Sequence, residues 1–107
     1  MTPLDVLRDT REFLSDPARW TKGTAARDAN GDPCEVEYEH AKSFCLLGAT
    51  LYTTLGRPSL FDRTKDYLSY VLDSPLNLRQ LNDNPATTHE EILALLDRAI
   101  AFAEPQP

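Results

Sequence analysis

The amino-acid sequence predicts a mainly α domain. The expected architecture is a compact bundle of about four helices around a buried central helix, at about 38–55, with a small β-hairpin at about 25–36. The run from Ser43 to Gly56 carries no charged side chain, in a chain where 26% of residues are charged. Within and beside it, Ala41, Phe44, Cys45, Gly48, Leu51, Tyr52 and Leu55 recur at helical spacing. Leu46, Leu47 and Ala49 make the other side apolar too, so such a helix needs cover on several faces. Gly48 and Ala49 remove side-chain bulk where a neighbouring helix comes close, and Gly56 suits a left-handed helix end. The remaining helical stretches are amphipathic and start at cap residues.

Thr2, Pro3 and Asp5 form the opening of a first helix as cap, first-turn proline and first-turn acid. Its stripe is Leu4, Leu7, Arg11 and Leu14, and Asp16-Pro17 stops it. Trp20 follows in a short segment over the core edge, where its large buried area anchors the loop more simply than a ligand would. Two signals compete in the next stretch. Asn30-Gly31 and the alternation from Cys34 to Glu39 favour a hairpin of about 25–29 with 32–36. Asp32, Pro33 and Glu35 also fit the start of a helix. The hairpin is the preferred reading, followed by the central helix from about residue 38.

Arg57-Pro58-Ser59 makes a turn into a third helix at about 59–73, with Leu60, Phe61, Thr64, Leu68, Val71 and Leu72 inward. Ser74-Pro75 suggests a helical turn or two to Leu81, and Asn82-Asp83-Asn84-Pro85 reads as a break. The last helix starts at Thr87 or Thr88, each with a glutamate three residues on. Ile92, Leu96, Ala99, Ile100 and Ala103 form its core face. The expected organisation is a single helical domain over 1–104 with a frayed tail at 105–107.

Composition bounds the function. The 107 residues carry a net charge of −6, which disfavours direct nucleic-acid binding. The longest uncharged run falls short of the roughly 20 residues that cross a bilayer, so no membrane association is expected. The N-terminus places charges where a signal peptide has its apolar core, which points to the cytoplasm. Two cysteines are too few for a disulfide framework, and both are expected as free thiols.

W-T-K-G-T-A-A-R-D-A-N-G, A-K-S-F-C-L-L-G-A and L-N-D before a final T-x-x-E-I helix resemble a family of small uncharacterised proteins of bacteria and their phages. The positions that carry the resemblance are Trp20, Gly23, Ala25, Arg27, Gly31, Ala41, Cys45, Leu46, Gly48, Ala49, Asn82 and Asp83. It spans roughly residues 4–103 and implies a small, mainly helical domain without a particular activity.

Residues with chemical potential are few. Cys34, His40, Cys45 and His89 offer four soft ligands, but C-x5-H-x4-C with a distant histidine is no zinc spacing, so no metal or other cofactor is expected. Cys45 reads as a small core hydrophobe. Glu35, Glu37 and Glu39 read as a solvated face, with an acidic imitation of a phosphate row as the sharper alternative. Arg27 can pair with Asp28 or Asp32, and Asn82 and Asp83 suit turn or cap roles. The segment from Trp20 to Asp32 holds more special residues than a helix connection needs, and loops on a rigid scaffold concentrate binding residues. The candidate contacts are therefore Trp20, Arg27, Asp28, Asp32, Asn82 and Asp83. The leading expectation is a non-catalytic interaction or accessory domain, phage- or mobile-element-related, with an unknown protein partner or a second copy. The alternatives are an enzyme or ligand-binding protein with a site near Trp20, Arg27 and Asp83, or an acidic inhibitor.

Overall fold

A computed structural model of the protein describes residues 1–105. Helix α1, Pro3–Phe13, begins with a reciprocal cap. The Asp5 N–H donates to the Thr2 hydroxyl at 3.3 Å, and the Thr2 N–H donates to the Asp5 carboxylate at 2.9 Å. Hydrogen bonds from the Thr2 N–H and hydroxyl to the carboxylate hold the Asp5 carboxyl below its ordinary range. A 3-10 turn at Pro17–Arg19, capped by Asp16, then carries the chain to Trp20.

Strands β1 (Ala26–Asp28) and β2 (Pro33–Cys34) form the expected hairpin, antiparallel, with Ala26 opposite Cys34. Gly31 takes a positive φ of 83° in its turn and donates its N–H to the Asp28 carbonyl at 3.0 Å. The hairpin has a third member that the sequence reading placed in a helix. Ala41–Phe44 is strand β3, antiparallel to β1 on its other edge, with Ala26 opposite Phe44 and Arg27 opposite Ser43.

The expected central helix at about 38–55 is therefore divided. Its first half pairs in the sheet, Cys45 caps, and only Leu46–Thr53 is helical, as α2. The short apolar run satisfied both a helical and an extended pattern, and pairing with β1 selected the extended one. Gly48 and Ala49 are buried as expected, but Cys45 is only half-buried, because a cap residue sits outside the helix it starts.

Helix α3 is Pro58–Val71 and α4 is Leu78–Asp83, started by a capping box of Asn77 with Gln80 and not by Ser74. Asn82 and Asp83 thus belong to the last turn of a helix and not to a break. Helix α5, His89–Ala103, is capped by Thr88. The frayed tail expected at 105–107 falls, past Pro105, outside the described residues.

The chain is mainly helical, yet a pure bundle is not what it forms. Among the described residues, five α-helices accompany a three-stranded antiparallel sheet. Val6, Leu7 and Leu14 of the α1 region, Leu46 and Ala49 of α2, Leu68 of α3, and Ile92, Leu95, Leu96 and Ala99 of α5 are fully buried. Each of the larger side chains contributes roughly 1.5–3 kcal/mol by burial. Phe44 at the end of β3 and Ala26 of β1 join this core, so the sheet leans on the helices as a short hairpin must. Three buried threonines return their hydroxyls to their own helices, Thr50 to the Leu46 carbonyl at 2.8 Å, Thr54 to that of Thr50 at 2.9 Å and Thr64 to that of Leu60 at 2.8 Å.

Candidate functional site

Three stretches far apart in sequence meet at the side chain of Asn82. The Trp20 indole N–H donates to its Oδ1 at 2.7 Å, and the Leu46 backbone N–H donates to the same atom at 3.0 Å. Two donors on one atom identify that atom as the oxygen of the amide. Its Nδ2 donates to the Thr21 carbonyl at 3.1 Å and to Asp83 Oδ1 at 3.1 Å. Asn82 is 1% exposed and spends its whole hydrogen-bonding capacity inside the chain. The Leu46 N–H lies in the first turn of α2, where no helical carbonyl can reach it, so Asn82 also completes that helix end.

Neighbouring groups extend the clasp. Asp83 Oδ1 accepts the Gly23 N–H at 2.9 Å. Lys22 Nζ donates to the carbonyls of Asn84 and Thr87, both at 2.6 Å, and sits 5.3 Å from the Trp20 ring centre. Arg27 was expected to pair with Asp28 or Asp32. Instead its guanidinium donates to the Thr21 hydroxyl (2.9 Å), the Lys22 carbonyl (2.9 Å) and the Gly31 carbonyl (3.0 Å), sewing the loop to the hairpin. Asp28 Oδ1 accepts the N–H groups of Asn30 and Asp32 within the turn. Of the six candidate residues, Trp20, Asn82 and Asp83 are brought together directly. Arg27 joins them through Thr21 and Lys22, while Asp28 and Asp32 stay at the hairpin tip.

A cleft of about 390 Å³ opens beside this clasp. Residues 23–25 line it together with Cys45, Leu47, Gly48 and Leu51 of the α2 region, Phe61 of α3, and Arg79, Asn82 and Asp83 of α4. Gly48 is required here. A Cβ on it would stand 2.1 Å from the Ala25 carbonyl oxygen. The close neighbour is a backbone strand approach and not the helix that the small residue had suggested.

Cys45 faces the cleft with its sulfur accepting the Gly48 N–H at 3.1 Å. Burial pushes its thiol up, a shift opposed by hydrogen bonds from the Gly48 and Leu47 backbone and reinforced by the Asp83 charge. Both cysteines are free thiols. The thiol of Cys34, in β2, is pushed up by its surroundings and by the charges of Asp28 and Glu35. His40 lies 3.4 Å from Glu39, and His89 Nε2 lies 2.6 Å from the Leu14 carbonyl, so neither imidazole faces Cys45. Among the described residues, no three His, Cys, Asp or Glu side chains gather as metal ligands. No described helix is long and apolar enough to cross a membrane.

Arg79, Leu47, Leu51 and Phe61 were not among the sequence candidates. The apolar three read as ordinary helix-face residues, and nothing near Arg79 in the sequence singles it out. Only the four-residue spacing of Arg79 and Asp83 on one helix face could have pointed to the pair.

The fold and cleft define a small α-rich domain in which a buried asparagine of the fourth helix ties the Trp20 loop to the start of the second helix. The chain belongs to a family of unknown function, DUF6197, whose model matches residues 1–102. No curated protein and no solved structure matches it.

Proposed function

We propose that the chain is a small non-catalytic binding domain whose ligand enters the cleft between residues 23–25, α2 and α4. The observation that carries this reading is the lining of the cleft. Leu47, Leu51 and Phe61 make it apolar, with charged groups only at Arg79 and Asp83. Concave sites of roughly 300–1,000 Å³ with apolar walls and a few polar groups are where small molecules bind. A catalytic role finds less support. The only thiol in the cleft is pushed toward its protonated form by burial, and both imidazoles are engaged elsewhere. On this reading Asp83 is the direct contact among the sequence candidates. Trp20, Arg27 and Asn82 hold the wall that it faces, while Asp28 and Asp32 shape the hairpin turn away from it. The resemblance to bacterial and phage proteins suits an accessory protein working in the cytoplasm.

A fragment screen followed by two-dimensional 1H–15N NMR on the labelled full chain tests this. Shifts concentrated at Gly23, Thr24, Cys45, Leu51 and Phe61 are expected for small apolar fragments. Hits that map only to other faces would overturn the assignment of the cleft.

A further inference from the structure

Arg79 and Asp83 stand one helical turn apart on α4, both at the cleft, and yet do not pair. Opposite charges four residues apart on a helix ordinarily find each other. Here Asp83 is turned toward the loop, because its Oδ1 is held by the Gly23 N–H at 2.9 Å and the Asn82 amide at 3.1 Å. Its Oδ2 accepts from no described residue, and the Arg79 guanidinium makes no hydrogen bond or ion pair with any described residue. The cleft thus offers a carboxylate oxygen and a guanidinium on residues whose backbones lie about 6 Å apart along the helix axis, beside an apolar lining.

Resting on the proposed binding role, we infer that this cleft binds a free apolar α-amino acid as its zwitterion. The ligand's ammonium meets Asp83 Oδ2, its carboxylate takes the Arg79 fork, and its side chain lies on Leu47, Leu51 and Phe61. The charge pattern selects this class. A ligand with a carboxylate alone would engage Arg79 but stand beside the Asp83 charge, and one with an ammonium alone would stand beside Arg79. Only a molecule carrying both groups on neighbouring atoms satisfies both, with charge-assisted hydrogen bonds at each end. Peptide termini carry one of the two charges, so they are distinguishable from the free amino acid.

The test is titration of the 15N-labelled full chain with leucine, phenylalanine, leucinamide and N-acetylleucine. Free leucine or phenylalanine should shift the amides of Gly23, Thr24 and Leu51 and bind at least about tenfold tighter than either blocked form. Arg79→Gln, a change at an exposed and unbonded side chain, should weaken leucine by about tenfold or more without weakening leucinamide. Asp83→Asn, which keeps an oxygen for the Gly23 N–H, should weaken leucine and spare N-acetylleucine. Equal affinity for free and blocked forms would overturn the zwitterion assignment, and so would silence of the cleft amides at millimolar amino acid. Uncharged fragments that shift those amides while leucine does not would sink this inference and leave the binding cleft standing. Silence toward both would sink the two together.

Discussion

Asn82 shows how much a single amide can organise. Its Oδ1 receives the Trp20 indole and the Leu46 N–H, and alanine would leave both donors without that acceptor in a site 1% exposed. Each orphaned buried donor costs roughly 1–3 kcal/mol, so Asn82→Ala is expected to cost about 3 kcal/mol or more. At about 4–8 °C per kcal/mol for a domain near this size, the melting temperature should fall by more than about 10 °C. Calorimetry of the variant checks this, and a change of a degree or two would mean that water replaces the amide without loss. The residue-level reading of the sequence assigned Asn82 a turn or cap role, which was half right. It does satisfy a helix N-terminus, but that of α2 and not of its own helix.

At the scale of elements, the contact between α2 and the segment before β1 is made through backbone. The Cys45 N–H donates to the Ala25 carbonyl at 3.1 Å, and Gly48, one turn further on, lies beneath the same carbonyl. Helix and strand approach this closely only where a side chain is missing. Gly48→Ala is expected to cost roughly 1–3 kcal/mol or more, because the obstructing atom is a carbonyl oxygen already committed to a hydrogen bond and has little freedom to move. The urea midpoint should fall accordingly, and the amides of residues 23–25 should shift in NMR as that wall is pushed out. An unchanged midpoint would show the wall to be pliant and the cleft adjustable. Asn77 acts at the same scale. Helix α4 has only six residues, too few to stand by propensity, so its capping box and the Asn82 bonds hold it in place.

For the molecule as a whole, what could be read from the sequence divides by range. The cap at Thr2, the end of α1 before Asp16-Pro17, the Asn30-Gly31 turn and a last cap at Thr88, one of the two threonines expected, are decided within a few residues, and the structure has them. Strand β3 is decided by β1 across the hairpin, and the local pattern of Ala41–Phe44 fitted a helix equally well. The neighbourhood of the Trp20–Asp32 segment with Asn82 and Asp83 was expected, but the cleft was not, because Leu51, Phe61 and Arg79 converge only through packing of α2, α3 and α4. The clasp also has a consequence in time. The bonds of Asn82 tie a loop and a six-residue helix to the edge of the core. Such elements are held by few buried side chains, so their contacts are expected to form after the folding barrier. Asn82→Ala should then refold at close to the parent rate and unfold about a hundredfold faster, if it loses about 3 kcal/mol. Stopped-flow urea jumps read both arms, and a slowed refolding arm would place the clasp within the barrier. With the clasp formed last, the Trp20 loop and α4 would be the first parts to come away from the core, long before the α1–α5 pair separates.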